Sequence, residues 1–214
     1  IEKEFKDTQI FRDCSANLIL GQSRNGDLGF NGQLGEVVIY NKALSAEERQ
    51  RLEEFMSAKW RVALSGVAPV ASAVLHLDAT RLASVLNENG VPAGPGDKVG
   101  QWSNLAGSEN HARQDNSKRW PEYTRTGINC LPAIKFTQEE LGEDNYDDYL
   151  SVDRVIQSDF TMMVVFRPDV DSYAGENEPV QVGTNTAWTD GVALIDADCS
   201  GRYNDFGLSF GKSG

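Results

Sequence analysis

The most apolar stretch of the chain is Phe160-Thr161-Met162-Met163-Val164-Val165-Phe166, closed by Arg167-Pro168. An apolar run without polar alternation predicts a central strand buried on both faces. Pro168, which cannot donate to a sheet ladder, predicts its end. Shorter strand-like segments lie at 17–21, 36–40, 74–79, 99–102, 133–136, 180–183, 191–196 and 206–211. Segment 36–40, Glu-Val-Val-Ile-Tyr, is β-branched and aromatic and reads as buried; in 133–136 the faces alternate. Turn residues separate these segments: Asn25-Gly26 supplies positive φ, and Gly90, Pro92, Gly94, Pro95 and Gly96 break 87–96.

One stretch has helical spacing instead. Ser45-Ala46-Glu47-Glu48 forms a capping box, in which Ser45 takes a free amide and Glu48 reaches back. Leu52, Phe55, Met56 and Trp60 then make an apolar stripe on a charged helix. Many short strands and one helix predict an all-β fold: an antiparallel β-sandwich with one short amphipathic helix near 45–60. Residues 61–73 are small and carry no charge after Arg61, with Gly66 and Pro69 among them, and read as a linker. Residues 111–120 read as a polar loop, and Trp102 and Trp60 as core. Between 138 and 159 the acids Glu139, Glu140, Glu143, Asp144, Asp147, Asp148, Asp153 and Asp159 face a single cation, Arg154. This reads as a solvated acidic insertion.

Charge narrows the partners. The 214 residues hold 20 Lys+Arg against 32 Asp+Glu, a net charge of -12. Such a surface repels phosphate backbones and anionic bilayers, so no nucleic acid partner and no membrane insertion is expected. No apolar run reaches the roughly 20 residues of a membrane span. The first residues, Ile1-Glu2-Lys3-Glu4, are not a signal peptide, so a secreted parent would carry its signal outside this sequence. Cys14, Cys130 and Cys199 are far apart; buried free thiols are expected, with a Cys14–Cys199 bridge as the alternative. His76 and His111 are too far apart to suggest a zinc cluster.

Taken in order, several of these strings resemble a known module. Val74-Leu75-His76-Leu77-Asp78-Ala79 is followed by Val99-Gly100-Gln101-Trp102-Ser103-Asn104, then by Ala112 with Gln114 and Pro121 with Tyr123. Leu131-Pro132-Ala133-Ile134-Lys135-Phe136, Asp148-Tyr149-Leu150 and Phe160-Thr161 complete the series. This part resembles the first half of a laminin-G-like, concanavalin A-like jelly roll of the kind found in large bacterial surface proteins. Asn17-Leu18-Ile19-Leu20-Gly21, the 30–41 strand, Ala43-Leu44-Ser45 and Trp60 resemble the last strands of the same module. The halves stand in reversed order: 1–60 as a C-terminal half, 61–73 as linker, 74–214 as an N-terminal half. Either one permuted sandwich or the junction of two repeats fits. The resemblance implies an extracellular module that binds or adheres, with calcium near the ligand rim, and it implies that some strands are absent. Unpaired sheet edges would then be completed within the chain or by another copy, head to tail.

The chemistry candidates follow. A retaining glycosidase needs two carboxylates about 5–5.5 Å apart. Asp196-Ala197-Asp198 lacks the acidic strand that would present them, and no nucleophile–His–acid set is visible, so no enzyme is expected. Calcium takes loop carboxylates and carbonyls. Asp196, Asp198, Asn204 and Asp205 flank one turn, with Asp27 able to join them; ordinary turn chemistry is the competing account. For a glycan or surface-protein ligand, the candidate aromatics are Trp188, Tyr203 and Trp120, with Tyr123 and Tyr173 also weighed.

Overall fold

A computed structural model describes residues 17–22, 29–61, 72–138, 147–154, 156, 159–169, 181–184, 192–197 and 206–210. Among these, thirteen strands and one α-helix form two antiparallel sheets with a helix outside one of them. In chain order the elements are β1 (Leu18–Leu20), β2 (Gly32–Tyr40), α1 (Ala46–Trp60), β3 (Leu75–Asp78), β4 (Val85–Asn87), β5 (Val99–Trp102) and β6 (Ala112–Arg113). Then come β7 (Glu122–Thr124), β8 (Ala133–Phe136), β9 (Leu150–Val152), β10 (Thr161–Pro168), β11 (Gln181–Thr184), β12 (Val192–Asp196) and β13 (Phe206–Phe210). The fold is an all-β sandwich. The short strands β4, β6, β7 and β9 go beyond the sequence reading; β6 lies inside the stretch read as a polar loop.

The larger sheet has eight strands in the order β11-β13-β12-β1-β9-β6-β5-β4. The smaller has five, β10-β2-β8-β7, with β3 also on β2. The stretch before residue 61 supplies an interior strand to each sheet: β1 lies between β9 and β12, and β2 lies between β10 on one side and β3 and β8 on the other. The apolar side chains between the sheets include Leu20, Phe30, Leu34, Val37, Ile39, Trp102, Phe136 and Leu150.

Strand β2 alternates between two cores. Leu34, Val37 and Ile39 point between the sheets, while Val38 and Tyr40 point out to the helix. The break in period at Gly35-Glu36 is a β-bulge: the ladder on β10 steps from Val165–Glu36 to Phe166–Leu34. Both bulge positions face α1. The Trp60 ring lies where a Cβ on Gly35 would stand. The helix itself starts as its capping box predicts, with Glu48 N–H donating to Ser45 Oγ and Ser45 N–H to Glu48 Oε2, at 3.2 and 3.0 Å. Leu52, Met56 and Trp60 are buried against Val38 and Tyr40, with Phe55 partly buried beside them.

Two expectations change. Strand β10 is not central: it ends the smaller sheet, pairs with β2 alone among the described residues, and its side chains are half-buried or exposed. Its apolar composition reflects contacts on both faces at a margin, since Met162, Val164 and Phe166 lean on one core and Met163 and Val165 on the other. The acidic insertion is also not wholly solvated. Asp147 and Asp148 are buried, and Asp148 Oδ2 accepts the Thr137 N–H at 3.0 Å, because the segment returns into the sandwich before β9. Of the remaining acids in that stretch, Glu139, Glu140, Glu143 and Asp144 lie outside the described residues, as do most of the 61–73 linker, Asp27, Cys14 and Cys199. Cys130 is a free thiol but exposed rather than buried.

Candidate functional site

The outer face of the larger sheet carries a row of residues in register across four strands. Ile19 of β1 stands opposite Ser151 of β9, Ser151 opposite Arg113 of β6, and Arg113 opposite Gln101 of β5. Period-two alternation puts their neighbours Leu20, Leu150, Val152, Ala112 and Trp102 into the core, so this row faces away from it. Asn17 Nδ2 donates to Ser151 Oγ at 2.8 Å, and Arg113 Nε donates to Gln101 Oε1 at 2.7 Å. The guanidinium is thereby held along the sheet.

Loops wall the Ile19, Ser151 and Arg113 part of this row into an open groove of about 780 Å³. On one side Asn110 clamps the end of β9: its Nδ2 donates to Asp153 O and its Oδ1 accepts Asp153 N–H, both at 2.9 Å. His111 Nδ1 accepts the Asn104 N–H at 3.1 Å, which puts the proton of the neutral ring on Nε2, 3.7 Å from Glu109 Oε2. Tyr149 lines the groove, with the Arg119 guanidinium 5.7 Å from its ring centroid. The charged lining comprises Arg113 against Glu109, Asp115 and Asp153. Fixed amides, a hydroxyl, a guanidinium, carboxylates and one aromatic in an open cleft can hydrogen-bond a hydroxyl-rich ligand.

Of the residues singled out from the sequence, Trp120, Tyr123 and Asp196 fall among those described, and Tyr123 is buried in the core between the sheets, where it cannot serve as a ligand platform. Trp120 is half-buried; its indole N–H is taken by Gln114 O and its ring packs on Gly100. Asp196 is buried in β12, opposite Ile19 and Gly207, at the far end of the same cross-strand row. Trp188, Tyr203, Asp198, Asn204 and Asp205 lie outside the described residues. The groove residues Arg113 and Ser151 were not read as site residues because their strands are two and three residues long, too short to show a period, and Tyr149 stands just before the second of these strands.

A second polar constellation is buried under α1. The Glu36 side chain is fully enclosed. Its Oε2 accepts from Trp60 Nε1 at 2.6 Å and from Lys59 Nζ at 2.9 Å, and its Oε1 lies 2.8 Å from His76 Nε2. Lys59 Nζ also lies 2.6 Å from Asp78 Oδ2, while Asp78 Oδ1 accepts from the Thr80 hydroxyl and amide. Strand register builds the group, since Glu36 stands opposite Asp78 and Val38 opposite His76. A cavity of about 330 Å³ opens beside it, between Tyr40, Phe55 and Leu105. The Tyr40 hydroxyl pKa is raised, first by burial and then by the charges of Glu36 and Glu48.

Ligand atoms of Glu36, His76 and Asp78 lie within 4.8 Å of one another, a spacing that a metal ion could use. The donor set does not favour one. The Lys59 ammonium bridges both carboxylates and already supplies the balancing charge. The cluster reads as a polar tie between helix and sheet. An acid inside a strand that reads as buried, Glu36, was the available signal, because a buried carboxylate requires a partner.

No family model, curated protein or solved structure matches the chain.

Proposed function

We propose that the chain is a non-enzymatic, extracellular binding module of the laminin-G-like jelly-roll kind, and that it takes a glycan in the groove on the outer face of the larger sheet. The observation that carries this reading is the row Ile19–Ser151–Arg113, in register across three strands and lining a groove open to solvent, with Gln101 behind it holding the guanidinium. The motif order from Val74 to Phe166 supports the jelly roll. A glycan array probed with the purified chain tests it: binding to a defined set of glycans, lost in Arg113→Ala, is expected, and an empty array contradicts it.

Calcium belongs to the same proposal. Asp196, with Asp198, Asn204 and Asp205 further along the sequence, would supply the carboxylate and amide oxygens for the ion. An ion that binds only the folded chain raises its melting temperature, so millimolar calcium is expected to raise it by some degrees over a chelator control. An unchanged melting temperature contradicts the site.

A second reading is favoured by β10. An eight-residue, largely apolar strand whose outer edge has no partner strand among the described residues is a template for pairing with another chain. In that reading the chain is a structural repeat that assembles with its own kind through this edge.

A further inference from the structure

The groove carries a charge pattern that selects among glycans. Among the described lining residues the cation Arg113 is held by Gln101, three carboxylates, Glu109, Asp115 and Asp153, line the same space, and a second guanidinium, Arg119, lies behind the lining ring of Tyr149. A groove of this volume is about as wide as one Debye length, on the order of 8–10 Å at physiological salt, so the four lining charges and Arg119 behind Tyr149 all act on a ligand inside it. Three carboxylates against two guanidinium groups leave a net negative charge there, set in a chain whose net charge is -12. Arg113 therefore hydrogen-bonds hydroxyl and ring oxygens without acting as an anion receptor.

We infer that the groove is specific for neutral, hydroxyl-rich glycans and that Glu109, Asp115 and Asp153 exclude uronate-bearing and sulfated ones. The inference rests on the glycan reading of the groove and adds the ligand class. The carboxylates have two effects: each accepts hydrogen bonds from sugar hydroxyls, and together they set a potential against anionic ligands. Like charges facing one another across a wet interface reduce affinity and association rate, and this repulsion weakens as salt rises.

The test compares neutral oligosaccharides (glucose, mannose and N-acetylglucosamine oligomers) with uronate and sulfated oligomers of matched length, at low and physiological salt. The wild-type chain is expected to bind members of the neutral set and none of the anionic set. The triple variant Glu109→Gln, Asp115→Asn, Asp153→Asn is expected to gain binding to anionic oligomers by on the order of tenfold at low salt. The gain should fade at high salt and disappear when Arg113→Gln is added. Melting temperatures of the variants establish that each is folded. Wild-type binding to the anionic set overturns the inference while leaving the glycan reading standing. A folded triple variant with no gain overturns the role of the three carboxylates. Failure of the wild-type chain to bind any neutral oligomer overturns the glycan reading and the inference with it.

Discussion

Lys59 and Glu36 show what a single residue must do when a strand buries an acid. Taking a carboxylate out of water costs several kcal/mol unless opposite charge and hydrogen bonds go with it. Glu36 has both, from Lys59, Trp60 and His76, and Lys59 serves Asp78 as well. Replacing Lys59 with Met keeps the stem and removes the charge, leaving buried Glu36 without its lysine and buried Asp78 with the exposed Arg81 at 3.7 Å. The variant is expected to lose about 3–5 kcal/mol in urea unfolding. Adding Glu36→Gln to Lys59→Met should recover part of that loss, because the two effects share one partner. A loss below about 1 kcal/mol would mean that Lys59 does not balance these charges. From the sequence, Glu36 stands out as an acid in a strand that reads as buried, while Lys59 looks ordinary. Their meeting depends on α1 folding back over β2, which local spacing does not encode.

At the scale of elements, the helix and the bulge are one device. The bulge turns Gly35 and Glu36 to the same side, and the absent side chain of Gly35 admits the Trp60 ring while Glu36 accepts a hydrogen bond from its indole N–H. A methyl group at position 35 collides with that ring. Gly35→Ala is expected to cost about 1–3 kcal/mol, measured by chemical denaturation. An unchanged midpoint would show that the ring can shift freely. The helix was legible from Ser45 to Trp60 because capping chemistry and 3.6-residue spacing are local. The strand β10 was legible as a strand and misplaced as central, because an apolar run shows contact on two faces and leaves the number of hydrogen-bonded neighbours open. Its edge yields a prediction. Association that grows with concentration is expected in light scattering of the wild-type chain. Met163→Lys, which brings a charge to the edge on an aliphatic stem, is expected to reduce it. A wild-type monomer at every concentration contradicts the edge-pairing reading.

In the whole molecule, the described strands before residue 61 are interleaved with those after residue 72. Without β1 the larger sheet is cut between β9 and β12, and without β2 the smaller sheet loses the strand that joins β10, β3 and β8. The sandwich was legible from the rhythm of short strands and turns. The groove was not, because β6 and β9 supply only Arg113 and Ser151 to it and the loops around 110 and 153 close it from distant parts of the sequence. The central claim is that this outer face is where ligand binds. Ser151 stands in the middle of the row, flanked by Ile19 and Arg113, with its neighbours in the core and its own side chain outside it. Ser151→Trp would fill the groove from its floor. The decisive measurement is the binding isotherm of the wild-type chain and this variant against the strongest glycan of the array, with melting temperature recorded for both. The account predicts that affinity is lost, by at least about a hundredfold, while the melting temperature stays within a few degrees. Unchanged affinity in the folded variant would contradict it.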